Sequence, residues 1–492
     1  MNGLVRTFWL ISALLWMQMV WMPMASAEAR LPALGEPADQ VLSPRQEAQI
    51  GRELMAQARR HLDINRDPEV TGYVERLGGQ LAMHTDSQPV DGYTFFVAHN
   101  PSINAFAAPG GYIGVNSGLI LAADREAQVA GVLAHEIAHV AQRHIARSFA
   151  RQKTSNLTTL AAVLAGLLVG AGSEAGQAAI TGGIAAGQQQ RLDYTRANEF
   201  EADRIGIALL ARAGYSPDGM TAFFETLRRA AGPGGSSVPE FLRTHPLSQT
   251  RIAEAASRAD ALRSADQKKD SLEFQLMRQR LRALDSSQPD ALYQRWLGQA
   301  PEEVTHDWAE AAREYGLAVL ELRLEQPEKA LERLEPLYAQ DQDNLHYGLA
   351  LARAYRANGD AESALEIWDK VYLHHPSSYA AVTTGSHLLL ATGAAGRAVK
   401  LLTDFLRSDK DTPPQTWRHL AEAAEAAGQP LHSHEALGEY YVRVNRLSEA
   451  LKQFDMAVEE AEEESSDAVR IETRIDQVKE LQRKRVAQNP LQ

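Results

Sequence analysis

The C-terminal part of the chain repeats itself, and the period of this repeat restricts the possible folds more than any other feature. Ala330, Ala364 and Ala398 follow one another at a spacing of 34 residues, and Gly359 and Gly393 keep the same spacing. A repeat of this length holds one pair of helices. Because one such pair cannot bury its own apolar face, several must stack on one another.

A 34-residue period with small residues at fixed positions is typical of tetratricopeptide repeats, which form a superhelix with a concave groove. Gly428 and Ala450 mark further helix pairs outside the strict period. Such a groove usually binds another protein. A plain helical bundle is the alternative, but it gives no reason for three alanines in register. We therefore predict an all-α repeat solenoid over residues 263–487.

Composition excludes one class of partner. The chain has 492 residues, too many for a single core, so that two or three domains are expected. Its formal net charge is −13, and no basic block offsets this charge. We therefore expect no nucleic-acid binding.

The N-terminus has the features of an export signal. Arg6 precedes an apolar run over residues 8–22, and the small residues Ala25 and Ala27 suit a cleavage site. An uncleaved membrane anchor is the alternative. We predict a cleavable signal peptide over residues 1–27 and a protein that works in the bacterial periplasm.

Residues 28–262 have a mixed pattern and are predicted to form a separate domain. Ser43 and Asp67 each precede a proline, as at the start of a helix. The short, aromatic segments 93–98 and 103–116 are predicted to be strands with a hairpin turn. Longer helical patterns follow, which predicts a mostly α domain with a small β-sheet.

Residues 157–187 are rich in small and apolar residues. Each apolar half is too short to span a bilayer. The segment either touches the membrane or gates a site, or it forms a small-residue helical hairpin packed on the domain. We favour the packed hairpin, and peripheral membrane contact remains the alternative.

The segment VLAHEIAHVAQRH, residues 132–144, contains a metal-binding pattern. His135 and His139 are four residues apart and share one face of a helix, where both can bind one Zn²⁺. Glu136 lies beside the metal and can take a proton from water. The flanking residues are apolar, which predicts a buried helix. Because a buried polar cluster costs several kcal/mol unless it is satisfied, we prefer one bound zinc per chain to incidental histidines.

A catalytic zinc usually has a third protein ligand. The metzincin spacing would place glycine at position 142 and histidine at 145, where the chain has Gln142 and Ile145. His144 lies off the face of His139, and we expect it to be solvated.

A later helix supplies carboxylates at the sequence NEFEADRIG, residues 198–206. Glu199 and Asp203 are four residues apart and share a face, whereas Glu201 points elsewhere and is expected to be an ordinary surface carboxylate. Glu199 is therefore the best third ligand. Asp203 is then expected to accept a hydrogen bond that orients a ligating histidine.

HExxH followed by ExxxD on a later helix resembles peptidase family M48. The segment NAFAAPGGYIGVNSGL, residues 104–119, is similar to the strand and turn that precede the metal helix in that family. The resemblance implies an α+β zincin-like metalloprotease domain. In that domain His135, His139 and Glu199 would bind zinc, and Glu136 would be the general base.

The resemblance also bears on THPLSQTRI, residues 244–252. His245 matches a histidine that, in similar proteases with repeats, occupies the open coordination position of the metal. The resemblance therefore implies that His245 is an inhibitory fourth ligand of the metal. From the residues alone, His245 is equally well a loop histidine before a proline.

These features predict a periplasmic zinc metalloendopeptidase. Substrate backbone is expected to pair with an edge strand, a mode that suits unfolded or stalled polypeptides. The family resemblance implies that the enzyme degrades misfolded or stalled outer-membrane proteins. It also implies that the repeat groove contacts the β-barrel assembly machinery or its clients. The predicted edge strand comprises Asn104, Ala105, Phe106, Ala107 and Ala108.

Two other functions fit parts of the sequence. The first is a chaperone or scaffold whose repeat domain does the main work, with proteolysis secondary. The second is a zinc hydrolase for small molecules. The repeats argue against the second function, because a small substrate needs no protein-binding groove.

Overall fold

The computed structural model describes residues 37–40, 42–152, 196–232, 238–298, 308–408 and 412–488. The predicted signal peptide and the segment 157–187 lie outside these ranges. Within the described residues, none of the helices combines the length and the apolar character that crossing a membrane requires.

The N-terminal domain combines nine helices of the described residues with one small sheet. Two 3₁₀ turns, Pro37–Gln40 and Pro109–Gly111, accompany them. The elements in chain order are α1 (Pro44–His61), α2 (Pro68–Ala82), β1 (Thr94–Ala98), β2 (Ala105–Ala108), β3 (Tyr112–Asn116), α3 (Ser117–Ala122), α4 (Glu126–Ala141), α5 (His144–Gln152), α6 (Arg196–Arg212), α7 (Asp218–Ala231), α8 (Glu240–Thr244) and α9 (Gln249–Leu262).

The first two helices begin where the sequence predicts. Ser43 Oγ accepts a hydrogen bond from the backbone N–H of Gln46 at 3.4 Å, and Gln46 Oε1 accepts one from the backbone N–H of Ser43 at 2.9 Å. Asp67 Oδ1 accepts a hydrogen bond from the backbone N–H of Val70 at 3.1 Å. Both side chains satisfy N–H groups that a helix N-terminus leaves unpaired.

The sheet has the strand order β1-β3-β2, with β1 parallel and β2 antiparallel to β3. The hairpin predicted between the second and third strands is confirmed. Gly110 and Gly111 turn the chain with φ values of 80° and 95°, which glycine adopts without strain. As a result, β2 lies at an edge of the three-stranded sheet.

Helix α4 runs through the middle of the domain and packs against α2, α6 and α7. It is buried over nearly its whole length. The helical pattern after residue 119 is divided among α3, α4 and α5. Arg143, with φ of 50°, turns the chain between α4 and α5. Its guanidinium is held by the Glu47 carboxylate at 2.7 Å, which fixes this turn.

The C-terminal part is a series of helices in which neighbours along the chain pack on one another. Ala330, Ala364 and Ala398 are fully buried near the starts of three of these helices, as their period predicts. The helices are α10 (Leu272–Asp285), α11 (Pro289–Gly298), α12 (Trp308–Arg323), α13 (Pro327–Gln340), α14 (Leu345–Ala357), α15 (Ala361–His374), α16 (Tyr379–Ala391), α17 (Ala395–Ser408), α18 (Gln415–Ala426), α19 (Pro430–Arg443), α20 (Leu447–Glu459) and α21 (Ser466–Gln488). The predicted fold class, a mostly α domain with a small sheet followed by an all-α solenoid, is confirmed.

Helices α12, α14, α16 and α18 contact one another in a row, which forms the inner side of the solenoid. Helix α2 of the N-terminal domain packs against α16 and α10. One hydrophobic core therefore continues from Val70 to Ala423. The predicted boundary after residue 262 falls at the end of α9, and the division into two domains stays a prediction.

Candidate metal centre

Helix α4 carries His135, Glu136 and His139 into the interior, where none of the three is more than 2% exposed. Helix α6 lies directly against it. A Cβ at Gly206 would be 3.1 Å from the backbone nitrogen of His135, so that glycine allows this close approach. The approach brings Glu199, near the start of α6, to the two histidines of α4.

Four side chains converge at this point: His135, His139, Glu199 and His245. Nε2 of His135 lies 3.0 Å from Nε2 of His139. The Glu199 carboxylate oxygens lie 3.6 Å from Nε2 of His135 and 3.5 Å from Nε2 of His139. Nδ1 of His245 lies 3.3 Å from Nε2 of His135 and 3.2 Å from Oε1 of Glu199.

These separations fit one tetrahedral metal ion. Zinc bonds of about 2.0–2.1 Å place the donor atoms of a tetrahedron about 3.3–3.4 Å apart. Imidazole nitrogen and carboxylate oxygen are both common zinc ligands. Glu136 lies fully buried beside these donors, and its Oε1 is 3.5 Å from Nε2 of His245. A buried carboxylate is costly unless a bound group satisfies it.

Burial and neighbouring charges set the ionisation of the site. Burial raises the pKa of Glu136, so that this carboxyl takes up a proton more readily. Burial also opposes the charge of Glu199, but His245 and His135 hold the pKa of Glu199 well below its usual value. Burial lowers the pKa of His139, which keeps the ring neutral as a metal ligand requires.

Asp203, one turn after Glu199 on α6, lies where the sequence predicts it. Its Oδ1 is 3.0 Å from Nδ1 of His135, on the nitrogen that does not face the other donors. A carboxylate at this position fixes the orientation of the ring. That Asp203 orients the ring of His135 stays a prediction.

Arg251 on α9 was not predicted from the sequence. Its guanidinium donates two hydrogen bonds to Asp203, at 2.8 and 2.9 Å, and lies 2.9 Å from Glu199 Oε2. It is buried, and it balances the charge of the two carboxylates. The segment THPLSQTRI contains this arginine, but only the packing of α9 on α6 shows that it reaches the site.

Two predictions about neighbouring residues were wrong. His144, expected to be solvated, is fully buried, and its Nδ1 lies 2.8 Å from Nδ1 of His139. Glu201, expected to be an ordinary surface carboxylate, is only partly exposed and contacts Nε2 of His144 at 3.1 Å. The cause is the turn of the chain at Arg143, just after the end of α4. This turn brings His144 back against the last turn of α4.

The predicted edge strand lies beside the metal site. Ala105, Phe106, Ala107 and Ala108 form β2, whereas Asn104 precedes the strand and accepts a hydrogen bond from the backbone N–H of Asn116. A cavity of about 100 Å³ borders Ala107, Ala108 and His139. A chain lying along β2 would therefore pass next to the metal helix.

The buried HExxH helix, the carboxylate from α6 and the α+β domain define a zinc metallopeptidase. Residues 68–259 match peptidase family M48. The chain is 31% identical to the beta-barrel assembly-enhancing protease of Escherichia coli (strain K12), over 93% of each chain. It is 32% identical to a putative beta-barrel assembly-enhancing protease of Vibrio cholerae, over 91% of this chain and 92% of the relative. Mitochondrial metalloendopeptidase OMA1 of Arabidopsis thaliana is 32% identical over 36% of this chain and 35% of the relative. The chain therefore belongs to peptidase family M48 and is a zinc metalloendopeptidase.

Proposed function

We propose that this enzyme works in the bacterial periplasm, exported by a signal peptide over residues 1–27. It degrades misfolded or stalled outer-membrane proteins and, through its repeats, assists their assembly. The observation that carries the catalytic part is the cluster of four buried donors beside Glu136. The names of the full-length relatives support the pathway.

The side chains that converge at the site support the following roles. His135, His139 and Glu199 would hold the metal, and Asp203 would orient His135. When bound, Zn²⁺ activates water and polarises a peptide carbonyl. Glu136 takes the proton of that water and later delivers it to the leaving amine. Its raised pKa favours this exchange of one proton in both directions.

An extended polypeptide is the substrate that suits the edge strand. Within the described residues β2 pairs with β3 on one side only. A substrate backbone on the other side adds a strand, and main-chain hydrogen bonds of this kind require no particular sequence. The cavity next to Ala107 and Ala108 then receives a substrate side chain. Unfolded or stalled chains are available in this extended form, whereas folded domains are not.

His245 holds the site closed in the proposed resting state. Its Nδ1 completes the set of four donors, and a metal with four protein ligands has no position left for water. The ring stacks on Phe241, with centroids 4.6 Å apart, and the backbone N–H of His245 donates to the Phe241 carbonyl at 2.8 Å. Movement of α8, which carries Phe241, would open the site.

The inner side of the solenoid is proposed to contact the assembly machinery or its clients. Helix α2 of the protease domain packs against α16 of this row but leaves the side chain of His387 exposed. The exposed His387 on α16 belongs to the inner row of helices, and we place the partner surface around it. A photo-crosslinker at His387 should capture envelope proteins of the β-barrel assembly pathway. A crosslinker at the exposed Lys370 on α15, which is not in that row, should not.

Complementation of a strain that lacks this protein separates proteolysis from a chaperone role. Glu136→Gln removes the base and leaves the repeats intact, so that the variant should fail to clear stalled outer-membrane proteins. If Glu136→Gln restores outer-membrane assembly and clearance completely, the repeat domain does the main work. That result would favour the chaperone or scaffold function.

A further inference from the structure

The two ring nitrogens of His139 have different partners. Nε2 lies among the metal donors, 3.0 Å from Nε2 of His135. Nδ1 lies 2.8 Å from Nδ1 of His144, whose side chain is fully buried. Nε2 of His144 lies 3.1 Å from the Glu201 carboxylate, to which Arg147 also donates at 3.0 Å.

The direction of each hydrogen bond follows from the nitrogen that binds the metal. A ligating nitrogen offers its lone pair, so that a neutral His139 carries its proton on Nδ1. This N–H donates to Nδ1 of His144, which must then be unprotonated. His144 keeps its proton on Nε2 and donates it to Glu201, since a carboxylate only accepts.

The two histidine ligands are therefore supported by different means. A carboxylate, Asp203, lies directly behind His135. Behind His139 lies an imidazole, which is an acceptor on the required nitrogen in only one tautomer. Glu201 selects that tautomer from the far side of the ring.

We propose that His144 and Glu201 are positioning residues that hold the metal ligand His139 in the orientation and tautomer that zinc requires. This assignment rests on the proposed metal site. It predicts an effect on zinc affinity from residues that touch neither metal nor substrate.

Two substitutions of nearly equal shape test the proposal. Leucine and asparagine branch in the same way, but only asparagine offers an oxygen near the place of Nδ1. In the full mature chain, His144→Leu should weaken Zn²⁺ binding about 10- to 100-fold, as loss of a hydrogen-bond partner behind a ligand typically does. His144→Asn should recover most of that affinity. The readout is the Zn²⁺ dissociation constant from competition with a chelator.

Two further variants test the contact between His144 and Glu201. Glu201→Leu should weaken Zn²⁺ binding in the same direction, because His144 then loses the group that sets its tautomer. Arg147→Met, which leaves His144 and Glu201 in place, is the control and should bind Zn²⁺ like the unsubstituted chain. Thermal unfolding of the zinc-free proteins monitors the fold.

Unchanged zinc affinity in His144→Leu, or an equal loss in His144→Asn, would overturn the proposal. If His144→Leu fails to fold, Glu201→Leu decides, since its side chain is partly exposed. Unchanged zinc affinity in Glu201→Leu contradicts the proposed role of His144 and Glu201. If the unsubstituted chain binds no Zn²⁺, the proposed function fails as well, so that the two failures are distinguishable.

Discussion

At the scale of single residues, the site is a set of buried charges that balance one another. Glu199 and Asp203 are acceptable in the interior because Arg251 contacts both carboxylates. Removing one partner of such a group leaves an uncompensated buried charge, which is far more destabilising than the loss of an exposed ion pair.

Arg251→Met should therefore lower the free energy of unfolding by about 3–5 kcal/mol, measured by denaturant titration. Arg263→Met is the matched control. Arg263 pairs with Asp218 at the surface, with side-chain exposures of 55% and 32%, and its loss should leave the free energy of unfolding nearly unchanged. Equal losses in the two variants would show that Arg251 does not balance the site.

The amino-acid sequence predicted the site residues that share one face of a helix. It missed the site residues whose position depends on a turn of the chain. His135 and His139 follow from a four-residue spacing, and so do Glu199 and Asp203. His144 could not be placed by the same rule, because α4 ends at Ala141 and the chain reverses at Arg143. His245 came from family resemblance, since no local pattern links a residue on another element to the metal helix.

At the scale of elements, the repeats depend on small residues in the inner helices. A Cβ at Gly385 on α16 would overlap the indole ring of Trp368 on α15, and a Cβ at Gly348 on α14 would overlap the side chain of Val371 on α15. The 34-residue period predicted the helix pairs. It did not predict that α2 would occupy part of their inner side, because the period contains no information about contacts with another domain.

Gly385→Ala should destabilise the solenoid by about 1–3 kcal/mol, because the added methyl group overpacks the contact with Trp368. Gly396→Ala on α17 is the control. A Cβ there meets nothing within 4 Å, and alanine favours a helix over glycine by up to about 1 kcal/mol. The midpoint of urea unfolding should fall in the first variant and stay equal or rise in the second. A fall in both would contradict this packing.

At the scale of the whole molecule, a buried charge cluster joins the protease domain to the repeats. Glu69 on α2 accepts hydrogen bonds from His346, at 2.6 Å, and from Arg353, at 2.5 Å, both on α14. Nε2 of His346 lies 3.0 Å from Glu273. Arg280 on α10 lies 3.2 Å from Glu69. The two parts of the chain are therefore coupled through ionisable groups.

This cluster predicts a pH dependence of stability. Burial opposes the charge of His346, but Glu273 and Glu69 raise its pKa above the usual 6.5. A raised histidine pKa stabilises the folded chain fully below about pH 6.5, and the contribution is lost as the pH rises through the folded value. Burial opposes the charge of Glu273 as well, but His346 and Arg76 lower its pKa to about 2, so that the carboxylate remains charged throughout.

His346 should therefore contribute more to the free energy of unfolding at pH 6 than at pH 8.5, which adds to the difference between the values at these two pH values. His346→Gln should reduce this difference, because glutamine does not titrate. His374→Gln, at an exposed position on α15, should leave it as in the unsubstituted chain. The same pH dependence in all three proteins would place its origin outside the cluster.

Proteolysis and zinc content, measured together on three proteins, test the metal site most directly. The proteins are the unsubstituted mature chain, His245→Ala, and His245→Ala combined with Glu136→Gln. His245→Ala should keep its zinc on the three remaining ligands and cleave an unfolded polypeptide, and itself, faster than the unsubstituted chain. The double variant should also keep zinc, but its cleavage should be about 10²- to 10⁴-fold slower, because no base takes the proton. If His245→Ala keeps zinc and is inactive, His245 takes part in catalysis or substrate binding, and the closed resting state is wrong.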